Sequence, residues 1–275
     1  MAKSMQSLSE TDIVSRVKQG RGQGEGKHYQ PWIKVHEVPS SGRSHRVWSH
    51  KTERVHHLLS DLELAVFMML EWLPDITDIR EQFPLRREDT RMIAAEAGIK
   101  HPGIRGVDQV MSSDFLVDSA NAQHRQFVIQ VKPLEAFEDT RTIEKLELER
   151  RYWKLKQVPW YLVTNNEIDP VVRQNMQWLL ADKSDDALNQ TVLEQFDFME
   201  NIFQQRPDIT VIDVCKHIDF SYGLELGQSL RDIRILVANG MVTFDIFKPF
   251  RCCCAGELKF YQLDQVQELL YVGNQ

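Results

Sequence analysis

Cysteine is scarce in this chain: four in 275 residues, three of them consecutive at Cys252, Cys253 and Cys254. Thiols so placed build neither a disulfide framework nor a paired-cysteine zinc site, and the run is expected to fill or border a small C-terminal domain. Long apolar runs are missing as well. The longest, residues 64–70, is far below the ~20 residues that a membrane-spanning helix needs. The first twenty residues are polar and charged throughout, so no secretory signal is expected and a cytoplasmic location is the default. Gly20, Gly22, Gly24 and Gly26 alternate without the G-x-G-x-x-G spacing or a flanking strand and helix, which excludes a phosphate-cradling loop. His56 and His57 cannot share one side of a strand and have no matching pair, so zinc is not expected there.

The remaining composition, 42% hydrophobic and 27% charged, is that of a globular chain long enough for one large domain or two of moderate size. The net charge of −7 argues against a polyanion partner until its distribution is considered. Residues 13–59 hold nine Lys and Arg against three acids, a local net of +6, together with six of the nine histidines. A flexible basic arm able to settle along a polyanion is one expectation; a solvated extension is the other. Arg43, Arg46, Lys51 and Arg54 are its candidate DNA-binding residues.

Beyond residue 59 the chain alternates helices and strands. Ser60-Asp61-Leu62-Glu63 has the form of a capping box, predicting a helix to about Leu73, stopped by Pro74. Leu62, Ala65, Val66, Met69 and Leu73 form one stripe and Phe67 with Leu70 a second, so most of this helix should be buried. A carboxylate at Glu63 is then expensive unless a cation or donor meets it, although capping its own helix would also occupy it. A strand over 80–85 and a short helix over 90–97 closed by Gly98 should follow.

Strands are predicted over 112–118 and 125–132. Alternation puts Phe115, Val117, Phe127, Ile129 and Val131 on one apolar face, and Asp114, Leu116, Asp118, Gln126, Val128, Gln130 and Lys132 on the other. In an antiparallel hairpin, the symmetric register pairs Asp118 with Gln126 and Asp114 with Gln130, with Lys132 in diagonal reach of Asp114; a two-residue slip remains open. A charged helix over 140–157 follows, carrying Ile143, Leu146 and Trp153 inward and a Glu147–Arg151 ion pair. Glu149 could approach the site as an accessory residue or pair with ions at the surface. His101 and His124, in loops flanking the strands, are candidate DNA contacts. A strand over 160–164 completes the first domain. Helices over 171–180, 188–203, 210–218 and 224–238, then short β runs over 241–247 and 257–263, suit a winged-helix module among other small α+β domains.

An acid, an amide and an ammonium on one hairpin face, with a half-buried glutamate on an earlier helix, suit a hard divalent cation and phosphodiester hydrolysis. The strings L-L-S-D-L-E-L-A-V-F, R-E-Q-F-P-L, H-P-G-I-R-G-V-D-Q-V-M-S-S-D-F-L-V-D, F-V-I-Q-V-K-P and K-L-E-L-E-R-R-Y-W, with P-S-S-G-R-S-H-R in the arm and L-E-L-G in the tail, carry a further signal. In order and spacing they closely resemble the TnsA endonuclease subunits of heteromeric cut-and-paste bacterial transposases.

The resemblance implies a restriction-endonuclease-like mixed sheet flanked by helices over 60–168, preceded by the basic arm and lead-in over 1–59. A mainly helical, winged-helix-like DNA- and partner-binding domain over 169–275 would complete the chain. It implies Glu63, Asp114 and Lys132 as catalytic residues, with Mg²⁺ held by Glu63, Asp114, Gln130 and the Val131 carbonyl, and Mn²⁺ able to substitute. It further implies cleavage of the 5′ strands at transposon ends, a partner recombinase of the retroviral-integrase type for the 3′ strands, and contact of the C-terminal domain with an ATP-dependent regulator. No membrane partner is expected. The usual P-D…(D/E)-x-K pattern of such nucleases is altered: Ser113 stands for the proline and Gln130 for the second acid, so the site has one anionic ligand fewer. The competing class is a non-catalytic DNA-binding or bridging subunit of a transposition complex.

Overall fold

The computed structural model describes residues 8–37, 43–122, 125–180 and 195–261. The chain divides into two compact units: Met1–His45 with Lys51–Ile168, and Arg46–His50 with Asp169–Gln275. His124, residues 39–42 of the arm string, the start of the helix expected from residue 188 and the end of the run to 263 lie outside the described residues.

The first unit opens with α1 (Glu10–Lys18), capped by Ser9, whose hydroxyl accepts from Asp12 N–H. The basic stretch after it is not the flexible arm that its charge suggested. Tyr29, Trp32 and Ile33 are buried, and Ile13, Trp32 and Ile33 form a small apolar cluster flanked by Leu8, Leu59, Val107 and Val110. Two of its cations are spent internally: Arg16 and Arg21 donate to Trp32 O at 2.8 and 3.3 Å, and Arg21 pairs with Glu37 at 2.7 Å. The aromatic residues interleaved with the charges supply the apolar area that holds this segment down.

Strand β1 (His45–Ser49) belongs to the second unit except for His45; the first unit resumes with β2 (Arg54–Leu58), α2 (Asp61–Trp72), β3 (Ile76–Pro84), α3 (Arg87–Ala97), the small β4 (Gly103–Ile104) and β5 (Val107–Asp108), β6 (Ser112–Ser119), β7 (Gln126–Val131), α4 (Thr140–Leu155) and β8 (Trp160–Val163). The sheet order is β3-β6-β7-β8, with β3/β6 and β6/β7 antiparallel and β7/β8 parallel, hence mixed. Strand β3 begins four residues earlier than the sequence suggested, because Ile76 to Ile79 are drawn into pairing with β6.

Both faces of the β6/β7 hairpin are covered. Phe115 and Val117 are fully buried on one side. On the other, Leu116 and Val128 pack with Leu85, Ile93 and Ala94 of the α3 region and with Leu148, Tyr152 and Trp153 of α4. Helix α4 buries Leu146 and Trp153 as expected, together with Leu148 and Tyr152, while Ile143 is left 47% exposed.

Under the sheet edge, Arg54 is bidentate on Glu81, at 2.9 and 2.6 Å, and also donates to Ile79 O at 2.7 Å. Burial alone would push the Glu81 carboxyl up, but Arg54 and His56 reverse this and hold it well below the ordinary range.

The second unit contains α5 (Pro170–Leu180), α6 (Phe196–Gln205), α7 (Val211–Tyr222) and α8 (Gln228–Ala238), with antiparallel β9 (Val242–Thr243) and β10 (Lys259–Phe260). Phe196, Met199, Phe203, Val214, Ile218, Ile233 and Leu236 are among its buried residues. The buried Asp219 closes the α7–α8 corner by accepting from Gly227 N–H, Ser229 N–H and Ser229 O–H at 2.6, 3.0 and 2.6 Å. Cys253 is buried here, and burial pushes its thiol up to about 11.

Glu81→Ala leaves the Arg54 guanidinium buried and unpaired, which costs about 3–5 kcal/mol. Denaturant unfolding of the full chain measures it; a loss below about 1 kcal/mol would show that the pair does not anchor the sheet.

Candidate active site

Asp114 is the third residue of β6, Gln130 and Val131 end β7, and Lys132 follows directly. The hairpin register runs from Phe115↔Ile129 to Asp118↔Gln126. Continued by one step it sets Asp114 opposite Gln130, the register that alternation favoured. The aspartate is held from three directions. Its N–H donates to Gln130 Oε1 at 3.0 Å, Val131 N–H donates to its Oδ2 at 2.8 Å, and Lys132 Nζ reaches the same oxygen at 3.4 Å. The Lys132 ammonium also donates to Val131 O at 2.8 Å.

Glu63 enters from the first turn of α2. Ser60 Oγ accepts from Glu63 N–H at 3.1 Å and donates to Oε1 at 3.0 Å, while Oε2 accepts from Leu59 N–H at 2.9 Å and from Gln82 Nε2 at 3.2 Å. The carboxylate therefore both caps its helix and faces the hairpin acid. Burial first, and the negative charge of Asp114 second, push its pKa up to about 8. For Lys132, burial lowers and Asp114, Glu149 and Glu63 raise; the acids win and the ammonium stays charged.

Glu149 is not a surface ion-pairing residue. It is 3% exposed, and its Oε1 accepts from Ser113 O–H at 2.6 Å and Trp160 Nε1 at 3.0 Å, while Ser113 Oγ accepts from Trp153 Nε1 at 2.8 Å. Burial pushes this carboxyl up to about 8, with the Asp114 charge adding and Lys132 opposing. Ser113, noticed in the sequence for the proline it replaces, is thus the link between the α4 acid and the strand that carries Asp114. The Trp160 indole that donates to Glu149, and the Trp153 indole that donates to Ser113 behind it, are apolar by residue type, and a sequence gives them no polar role.

Three buried acids, Glu63, Asp114 and Glu149, face one ammonium, Lys132. Such a deficit of positive charge fits a divalent cation with oxygen ligands. Among the described residues no group of three His, Cys, Asp or Glu is arranged around a metal position. A cation there could take anionic oxygens from Glu63 and Asp114 and would need neutral oxygens for the rest. Val131 O is engaged by Lys132 and Gln130 Oε1 by the Asp114 amide, so each could offer a cation its second lone pair.

The candidate DNA contacts in the basic stretch fare differently. Arg54 is turned inward onto Glu81, and Lys51 Nζ donates to Leu73 O and Ile76 O at 2.8 and 3.0 Å, so both are committed inside the protein. Arg46 is half-buried and its pKa is lowered by desolvation. Arg43 is exposed, 2.9 Å from Asp61. His101 is also inward, bonded to Thr90 Oγ1 at 2.9 Å and 3.6 Å from Asp108.

Residues 73–165 match the family model described as TnsA-like endonuclease N terminal, and residues 167–246 the one described as TnsA endonuclease C terminal. The chain belongs to the TnsA endonuclease family. It is similar to the transposon Tn7 transposition protein TnsA of Escherichia coli, at 56% identity over 274 residues covering 100% of both chains. The TnsA assignment makes it an endonuclease. Asp114, Gln130, Val131, Lys132 and Glu149 fall inside the N-terminal match; Glu63 lies before it.

A carboxyl raised by burial favours the folded state while protonated. Its contribution is complete below the unfolded pKa and is lost as pH rises toward about 8 for Glu63. The metal-free protein should therefore melt at progressively lower temperature from about pH 4.5 to 8, and Glu63→Gln should flatten that decline. Identical profiles for the two proteins in calorimetric melts would contradict the burial of this charge.

Proposed function

We propose that this chain is the metal-dependent DNA endonuclease subunit of a transposase, cutting the 5′ strands at transposon ends, with Glu63, Asp114 and Lys132 as catalytic residues. The observation that carries this reading is the shared placement of the two acids: Gln82, opposite Asp114 in the ladder, donates to Glu63 Oε2 at 3.2 Å, and Lys132 Nζ lies 3.4 Å from Asp114. Glu63 and Asp114 would hold Mg²⁺, with Mn²⁺ as a substitute and Gln130 Oε1 and Val131 O as neutral ligands. The cation, when bound, supplies Lewis-acid activation of water and phosphate oxygens. Lys132 then stabilises the charge that grows on the phosphate, since it stays protonated and lies at the hairpin end beside Asp114. Val131 N–H and Gln130 fix the Asp114 carboxylate, and Ser60 with Leu59 N–H fix that of Glu63, so neither acid need reorient during the reaction. Glu149 acts from behind, through Ser113, to keep β6 in place.

The mixed four-stranded sheet between helices supports a restriction-endonuclease-like fold for the first unit. Helices followed by a two-stranded β9/β10 ladder support a winged-helix-like second unit. That unit would contact an ATP-dependent regulator, while a recombinase of the retroviral-integrase type cuts and joins the 3′ strands. Of the four candidate DNA-binding cations, Arg43 is the exposed one. With an amide at position 130 instead of a second acid, metal affinity is weak until substrate phosphate completes the site. Cleavage then waits for partners assembled on DNA, which protects the host from a stray nuclease.

Two outcomes follow. In the assembled reaction on end DNA labelled separately on each strand, Asp114→Ala should fold, bind its partners and lose at least about 10²-fold of the 5′-strand cut while 3′ cutting continues; an unchanged 5′ product would favour a bridging role instead. The purified protein alone, with Mg²⁺ and end DNA, should be nearly silent, and vigorous solitary cutting would remove the partner-gated part of the reading.

A further inference from the structure

Four non-glycine residues among the described positions have positive φ: Glu53, Gln82, Arg105 and Gln157. Three are exposed, outside the central sheet; Gln82 is 2% exposed and lies inside β3 with φ 48°. A non-glycine residue in that conformation is strained, and it persists only where its surroundings hold it. Glu81↔Phe115 and Phe83↔Ser113 pair on either side, which leaves Gln82 opposite Asp114.

Three polar groups of Gln82 are caught outside the ladder. Its carbonyl accepts from Trp32 N–H at 3.2 Å, its Nε2 donates to Glu63 Oε2 at 3.2 Å, and its Oε1 accepts from Ser112 O–H at 3.4 Å. The bracing segment is itself pinned: Tyr29 O–H donates to Glu81 O at 3.0 Å, and Arg16 grips Trp32 O at 2.8 Å.

We propose that Gln82 is a positioning residue for Glu63, and that the segment around Tyr29 and Trp32 holds its backbone in the turned conformation that aims the amide at the carboxylate. The inference rests on the endonuclease reading of the Glu63–Asp114 pair. An amide donor on Oε2 fixes the Glu63 rotamer and favours the ionised carboxylate that a cation requires. The N-terminal segment thereby becomes part of the active-site support, at a distance in sequence of some fifty residues from the strand it holds.

The test uses the full-length chain with Gln82→Gly, which tolerates positive φ and removes the amide, and Gln82→Met, which keeps the bulk and removes the donor. Melting, Mn²⁺ binding by calorimetry without DNA, and 5′-strand cleavage against metal concentration in the assembled reaction are read together. Gln82→Gly should melt no lower than the natural chain. Both variants should bind Mn²⁺ at least about tenfold more weakly and need correspondingly more metal for half-maximal cleavage, with the rate at saturating metal less affected. Wild-type Mn²⁺ affinity and metal requirement in either variant, or a markedly lower melt for Gln82→Gly, overturns the proposal. Asp114→Ala run alongside separates the two claims, since normal cutting by that protein would mean that the endonuclease reading had failed instead.

Discussion

Two carboxylates buried in each other's field are the constraint on which the rest of the first unit turns. Water would normally screen Glu63 from Asp114; helix α2 and the β6/β7 hairpin exclude it, and the cost appears as a Glu63 carboxyl that resists ionisation. The surrounding hydrogen bonds are arranged to tolerate this charge rather than to remove it. Backbone N–H groups at Leu59 and Val131, the Ser60 hydroxyl and the Gln82 amide all donate to the pair, and one ammonium sits at its edge. Preorganised donors around an anionic pair favour a bound cation, and the same donors leave little freedom for misplacement.

The support reaches far from the acids. Ser113 O–H donates to Glu149 and Trp153 N–H donates to Ser113, tying β6 to α4, while Trp160 N–H ties β8 to the same acid, so the helix that covers the hairpin also fixes the Asp114 end of β6. At the opposite margin, Arg54 and Glu81 lock the sheet edge where the N-terminal segment docks. Cations that would suit a polyanion by composition are instead spent on Glu81, Glu37 and backbone carbonyls. Local net charge in a sequence therefore says little about where a charge points.

Much of the site was legible before any coordinates. Period-two alternation with a symmetric turn favoured, against a two-residue slip, the register that sets Asp114 against Gln130, and a serine three residues before Glu63 marked the start of α2. What alternation could not convey was pairing across the other edge of β6. Gln82 reads as an ordinary strand residue in R-E-Q-F, and its turned backbone follows from contacts with Trp32, about fifty residues away in the chain. Burial of Glu149 was hidden for a related reason: its partners are a tryptophan and a serine, residue types that a sequence assigns to core and surface before it assigns them to a network. The basic stretch misled because its aromatic residues, not its cations, decide how it packs.

The central claim is that Glu63 and Asp114 share one divalent cation beside Lys132. A crystal of the full chain soaked in Mn²⁺ and measured at the manganese edge tests it most directly. The account predicts an anomalous peak bridging the two carboxylates, with Lys132 alongside; acids pointing apart, with no peak between them at saturating Mn²⁺, would contradict it.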